Sequence, residues 1–311
     1  MQVSCFPDDP PPRWNHPVLA LGNFDGLHRG HMKIIDRVRQ RAGERAGTPA
    51  AMTFDPHPPR VLRPDKAPAL LMTKEQKIEA LSRSGMQGVA LVRFTRELSL
   101  WEPEMFVKTV LVEWLHVAEV WVGANFLFGH DRAGTFSVLR TLGMRYGFRA
   151  EKIDPVRYKD FVVSSTRVRR LVTEGRVDEA GALLGHHYFI DGEVVPGAGR
   201  GRELGVPTAN LASPNELIPP SGVYATLATV DGIVFPSVTN IGSRPTFGDV
   251  TAPVVETHLL DVDRDLYGRT VRLSFVQRMR DERAFPDVDA LRAQIDADTR
   301  SARRLFGRIS L

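Results

Sequence analysis

The chain holds one cysteine, Cys5, in 311 residues, so no internal disulfide can form and a reducing compartment is expected. Long apolar runs are absent too; none approaches the ~18 residues of a membrane-spanning helix. Nor is there a block of like charge. The 41 basic and 37 acidic side chains leave a net charge of +4, with the arginines scattered along the chain. That balance suits acidic small molecules and lacks the concentrated basic stretch of a nucleic-acid binder. Residues 1–12 contain acidic side chains and four prolines in place of the basic and apolar regions of a signal peptide, which predicts a cytoplasmic protein. No internal repeat or low-complexity segment breaks the chain.

What is present is enough apolar material, 42% of residues, for two separately cored domains. Short apolar runs at Val18–Leu21, 51–54, 89–93, 118–122 and Arg149–Ile153 alternate with helical patterns such as 74–84 and 103–114. A strand every ~30 residues is the length of a βαβ unit, so this half is expected to form a doubly wound parallel sheet with helices on both faces. Beyond Leu184-Gly185 the texture changes to closely spaced β-prone runs at Tyr188–Val195, Gly222–Val230, 233–239, 254–260 and 271–276. Asp231-Gly232 between two of them fits a type I′ hairpin turn, and together the runs predict a small antiparallel barrel. An amphipathic helix over Val288–Phe306 closes the chain. The expected domains are therefore 1–185 and 186–311.

In such a parallel sheet, ligands bind beyond the C-terminal ends of the strands. The polar groups of the first half fall there: Gly22-Asn23-Phe24-Asp25-Gly26-Leu27-His28-Arg29-Gly30-His31 after the first run, Thr53-Phe54-Asp55-Pro56-His57-Pro58 after the second, and Gly123-Ala124-Asn125-Phe126-Leu127-Phe128-Gly129 after the fourth. A glycine-rich turn opening a helix presents free backbone N–H groups and the positive end of the helix dipole to an anion. His28 and His31 stand one turn apart and can both donate to phosphate oxygens. Taken alone, a His-x-x-His pair reads more readily as a helix cap and a metal-free surface pair; the Gly-x-Phe-Asp-Gly frame favours phosphate.

Ser164-Ser165-Thr166-Arg167-Val168-Arg169 supplies hydroxyl caps before a helix and is expected to put both arginines in its first turn. Cations there oppose the dipole, so they face solvent or meet an anion. In the second half, 197–205 reads as a flexible hairpin loop or a phosphate-facing flap, Pro207-Thr208-Ala209-Asn210 as a turn or a ligand segment, and Glu256 as a solvated carboxylate or a base. Phe54, Trp121, Phe126 and Phe128 read as core side chains rather than ligand-stacking ones.

These segments, together with Leu204-Gly205-Val206-Pro207-Thr208-Ala209-Asn210, Ser221-Gly222-Val223-Tyr224-Ala225, Asn240-Ile241-Gly242-Ser243-Arg244-Pro245-Thr246-Phe247, Glu256-Thr257-His258-Leu259-Leu260-Asp261 and Asp265-Leu266-Tyr267-Gly268, occur in an order that resembles the prokaryotic bifunctional riboflavin kinase/FMN adenylyltransferase (FAD synthetase) family over nearly the whole chain. The resemblance implies an N-terminal nucleotidyltransferase domain that adenylylates FMN to FAD and a C-terminal kinase domain that phosphorylates riboflavin to FMN. It implies ATP as co-substrate, Mg²⁺ as cofactor, FMN and FAD as products, no nucleic-acid or membrane partner, and leaves an oligomer open.

By the same resemblance Gly22, Phe24, Asp25 and Gly26 line the first ATP site, and His28 and His31 contact its phosphates. Asn125 helps hold them, while Ser164, Ser165, Thr166 and Arg167 close over the triphosphate; His28, His31 and Arg167 would be catalytic. In the kinase half Gly197, Gly201, Arg202 and Gly205 would belong to the flap, and Pro207, Thr208, Asn210, Asn240 and Arg244 to the ATP and flavin site. Thr208 and Asn210 would help hold Mg²⁺, and Glu256 would be the base on the ribityl 5′-hydroxyl. The chain departs from the family pattern at His186, Val206 and Ala198-Gly199. Another nucleotidyltransferase of the same α/β class, and a flavin-binding protein without turnover, are the rival readings.

Overall fold

Val18-Leu19-Ala20-Leu21 is buried at every position, as a strand in the middle of a parallel sheet must be. It is the centre of the first of two compact units, Met1–Ser165 and Thr166–Leu311, in a computed structural model that describes residues 1–197, 206–245, 251–262 and 264–308, with backbone only at 243–245, 251 and 252.

The first unit runs β1 (Gln2–Phe6), β2 (Val18–Leu21), α1 (Arg29–Glu44), β3 (Pro49–Asp55), α2 (Pro58–Leu62), α3 (Lys74–Arg83), β4 (Gly88–Arg93), α4 (Arg96–Ser99), α5 (Pro103–Phe106), a π-helical stretch (Val107–Trp114), β5 (Glu119–Gly123), α6 (Phe136–Tyr146) and β6 (Arg149–Ile153), then a small ribbon of β7 (Arg157–Tyr158) and β8 (Phe161–Val162). Six strands pair in the order β1-β4-β3-β2-β5-β6, every neighbour parallel. Alternate residues of each strand feed opposite faces. Val18, Ala20, Ala51, Val89 and Trp121 pack with Ile34, Ile35 and Val38 of α1 and Leu81 of α3. Leu19, Leu21, Met52, Val92, Val120 and Val122 pack with Val110, Leu111 and Trp114 of the π-helical stretch and Leu139 of α6. The expected two-faced sheet is therefore present; Trp121 is a core residue of one face and Phe128 of the other, where Phe54 and Phe126 pack against its cluster.

Strand β1 lies outside the sequence expectation. Its five residues hold one buried side chain, so it carries little of the apolar signal that marks β2 to β5, and its pairing with β4 comes from the backbone ladder.

The second unit contains α7 (Ser165–Thr173, whose first residue closes the first unit), α8 (Val177–Leu184), β9 (Tyr188–Val195), β10 (Ala209–Ala212), β11 (Gly222–Val230), β12 (Ile233–Pro245), β13 (Thr251–Leu259), β14 (Thr270–Arg280) and α9 (Val288–Phe306). The strands close a barrel in the order β10-β13-β12-β11-β14-β9, with β9 antiparallel to both β14 and β10. Asp231 and Gly232 both have positive φ, 49° and 80°, as the type I′ turn between β11 and β12 requires. Ala209 and Asn210 lie in β10, so the turn alternative for that segment is set aside. Ala225 and Val276 pack outward under Ala302 and Phe306 of α9. On the alternate face, Thr226, Ser237, Thr239 and Thr257 are fully buried and joined by hydroxyl contacts of 2.7 to 2.9 Å across β11, β12 and β13.

The division by contacts falls at Ser165/Thr166, 20 residues before the expected end of the first domain at 185, because α7 and α8 group with the barrel; α8 packs on β14 and β9.

Candidate functional site

In the first sheet the chain steps from β2 to β3 and β4 on one side, then crosses to β5 and β6 on the other. The strand order reverses beside β2, and that switch point is where a cleft opens at the strand ends. The segment 22–31 leaves β2 there, and Asn125 stands exposed in the turn after β5 on the far side.

The path of this segment is set by a tight turn with positive φ at Phe24 (49°), Gly26 (87°) and Leu27 (41°). His28 then caps α1: its Nδ1 accepts the His31 backbone N–H at 3.2 Å. The two imidazoles stack with centroids 3.7 Å apart and 10° between planes, and the fully buried Phe24 ring meets His31 edge-on at 5.2 Å. Gly30 leaves room for this, since a Cβ there would come within 3.1 Å of the His28 ring. Gly22 lies just before the turn, beside the Phe24 ring.

Asp25 is 2% exposed and acts as a brace. Its carboxylate accepts the Leu71 N–H at 2.9 Å and its carbonyl accepts the Ser165 hydroxyl at 2.8 Å. Ser164 is half-buried, Thr166 exposed and Arg167 half-buried around the start of α7. Because α7 begins at Ser165, Arg167 is in its first turn and Arg169 is in the second, not the first as expected from the sequence.

Burial holds the histidines neutral. It pushes His28 down to about 4, and it drives His31 well below the usual imidazole range, helped by the nearby His28 and Lys77 charges. The Nδ1 of His31 is buried without a hydrogen-bond partner among the described residues. A small concavity is lined by Phe54, Asp55, His57, Leu70, Met72, Lys74, Lys77, Ile78 and Leu91.

Two groups escape a sequence reading. Lys77 is 7% exposed, although a helical lysine is ordinarily solvated. Glu119, wholly buried at the start of β5, accepts the Nε–H and Nη2–H of Arg41, each at 3.1 Å, and the Trp121 indole N–H at 2.7 Å. Burial pushes its carboxyl up, but the bonds from Arg41 and Trp121 outweigh that and hold it below the usual range. A carboxylate inside the apolar run 118–122 was its only sequence signal.

In the barrel, the candidate side chains meet by ladder register. Asn210 of β10 is opposite Glu256 of β13, and Glu256 is opposite Asn240 of β12. Their neighbours Val255 and Thr257 are buried on the other face, so Asn210, Glu256 and Asn240 form one row on the outer face. The exposed Thr208 precedes β10, and the Pro207 carbonyl beside it accepts the His258 Nδ1–H at 2.8 Å. The chain passes directly over the Asn210 amide at Gly197, where a Cβ would lie 2.0 Å from Nδ2. Arg244 is in β12, opposite Ala252. Gly201, Arg202 and Gly205 lie outside the described residues.

Comparison with known proteins gives both halves a counterpart. Residues 11–167 match the family model described as FAD synthetase, and residues 184–306 match that described as riboflavin kinase. The chain is 38% identical over 293 residues to the bifunctional riboflavin kinase/FMN adenylyltransferase of Escherichia coli (strain K12), covering 93% of each. It is 36% identical over 297 residues to the protein of the same description from Bacillus subtilis (strain 168), covering 94% of this chain and 93% of that one. A crystal structure described as a macrolide-efflux protein from Streptococcus pneumoniae superposes with a TM-score of 0.89 at 27% identity, covering 97% of this chain and 99% of that one. With a histidine-capped turn at a parallel-sheet switch point in one half, a polar row on a barrel in the other, and relatives of this identity along almost its full length, the chain belongs to the bifunctional riboflavin kinase/FMN adenylyltransferase family.

Proposed function

We propose that the chain makes FAD from riboflavin in two steps, phosphorylation to FMN in residues 186–311 and adenylylation of FMN in residues 1–185, each with ATP as donor. The reading is carried by the presence of two chemically unlike polar sites in one chain, a neutral histidine pair at a helix N-terminus and a carboxylate–amide row on a strand face.

In the adenylylation, an FMN phosphate oxygen attacks the α-phosphorus of ATP and the bond to pyrophosphate breaks. Neutral His28 and His31 donate N–H groups to the oxygens that gain charge, at the positive end of α1. Asn125, Ser164, Thr166 and Arg167 hold the triphosphate, while Ser165 and Asp25 keep the turn 22–26 in place. In the phosphorylation, Glu256 accepts the ribityl hydroxyl proton as its oxygen attacks the γ-phosphorus and ADP leaves. Asn240 flanks that carboxylate, and Gly197 passes over Asn210 on the phosphate side of the site.

The donors at this second site are hard oxygens: the Thr208 hydroxyl, the Asn210 carbonyl oxygen in a cradle that a Cβ at residue 197 would fill, and the Glu256 carboxylate opposite it. Such a set fits Mg²⁺, which keeps several waters and takes its other ligands from phosphates. When bound there the ion would neutralise phosphate charge, and Thr208 and Asn210 would hold it. No helix among the described residues is long and apolar enough to cross a membrane.

The test is incubation with riboflavin, ATP and Mg²⁺ followed by chromatographic separation of riboflavin, FMN and FAD. Wild type is expected to give FAD through FMN, and His28→Ala to stop at FMN. Loss of both activities in a folded His28→Ala protein overturns the division.

A further inference from the structure

Lys77 is more than nine-tenths buried at the N-terminal end of α3, where the helix dipole opposes a cation. Among the described residues its ammonium makes one hydrogen bond, a long one of 3.5 Å to the Thr53 hydroxyl. The carboxylates that act on it, Asp25 and Asp55, form no ion pair with it within 4 Å among the described residues, and each has another donor: Leu71 N–H for Asp25 and Lys74, at 3.2 Å, for Asp55. A buried ammonium without a close counter-ion destabilises a fold. Thr53, the partner of Lys77, donates in turn to the Asn23 carbonyl of the 22–31 turn at 3.0 Å, so the ammonium stands behind the turn that carries His28 and His31, and it lines the concavity at the ends of β3 and β4.

The histidine pair is neutral, so it brings hydrogen-bond donors to that place but no net positive charge. Two phosphate-bearing substrates meeting there need one. We propose that Lys77 is the fixed cation of the adenylyl-transfer site and receives an anionic phosphate oxygen of the substrates. The proposal rests on the reading that His28 and His31 serve this reaction. The anion supplies the close counter-ion that Asp25 and Asp55 do not, and the buried ammonium strengthens the attraction because water does not screen it.

Lys77→Met keeps the length of the side chain and removes the charge. FMN adenylylation is expected to fall by about 100-fold, riboflavin phosphorylation to stay at the wild-type rate, and thermal unfolding followed by tryptophan fluorescence to shift upward or not at all. Lys77→Arg should recover part of the lost rate. A raised KM for FMN alone assigns the oxygen to the flavin nucleotide, and a raised KM for ATP alone assigns it to the triphosphate. A lower kcat at unchanged KM places the contact in the transition state. Adenylylation within threefold of wild type, or a lowered melting temperature in Lys77→Met, overturns the proposal, the latter because it makes the lysine a structural support. His28→Ala is assayed beside it. If that variant makes FAD normally, the underlying site reading fails; if it is inactive while Lys77→Met is active, only the lysine's role fails.

Discussion

In the first unit the polar side chains stand on turns that leave the ends of parallel strands, whereas in the barrel they stand in a row across three antiparallel strands. A turn is a local object. Gly26 and His28 shape the path of 22–31 through backbone dihedrals and a cap four residues long. The barrel row depends instead on pairing between residues 46 positions apart, Asn210 with Glu256. The first arrangement is vulnerable to charge and solvent near the turn; the second is vulnerable to anything that disturbs strand register.

Changes that separate the two sites sharpen this contrast most. Glu256→Gln should lower riboflavin phosphorylation by about 10²–10⁴-fold, the usual worth of a general base, while FAD formation from supplied FMN is unchanged. A parallel loss of both rates would break the contrast.

The next effect is one of pH. Because the folded value for His28, about 4, lies below the ordinary 6.5, the unfolded chain takes up its proton first. The stability this histidine contributes is whole above pH 6.5 and is lost as pH falls toward 4, amounting to about 3 kcal/mol. All four tryptophans, Trp14, Trp101, Trp114 and Trp121, belong to the first unit, so their fluorescence in denaturant titrations at pH 7 and pH 5 reads this loss. His28→Asn should flatten the difference.

Smaller, and confined to the barrel, is Thr239→Val. It removes hydrogen bonds to Thr226 at 2.7 Å and to Thr257 at 2.9 Å; Thr226 keeps Ser237 at 2.7 Å, while the Thr257 hydroxyl loses its side-chain partner among the described residues. A cost of about 1–3 kcal/mol is expected, seen by calorimetry without any change in the tryptophan-detected transition. The smallest is Asp287→Ala, which deletes the side chain capping Ala290 N–H at the start of α9 and should cost the same transition about 1 kcal/mol.

How far each site was legible in the sequence follows the same contrast. Val18–Leu21 and the helix after it are continuous patterns, so the turn between them and its histidines stand out in one dimension. The strands of the barrel are legible as well, since Tyr188–Val195 and Gly222–Val230 have the bounds read from their β-prone runs. Their closure and the Asn210–Glu256–Asn240 alignment are not, because register is a property of pairs. Lys77 gives no signal either: its burial arises from α3 packing near Thr53, and a lysine in the pattern Lys-Glu-Gln-Lys looks solvated. Strand β1 is invisible for the opposite reason, being too exposed to need an apolar pattern.

The cap on α1 has one more consequence, and it concerns where a proton sits. An imidazole nitrogen that accepts a backbone N–H cannot also carry hydrogen, so the bond from His31 N to Nδ1 fixes neutral His28 as the Nε2–H tautomer. The group that begins the helix thereby keeps its only hydrogen on the nitrogen facing away from the helix backbone. Adding a second proton, on Nδ1, would unmake the cap, so the start of the helix and the acid–base state of the site are a single equilibrium.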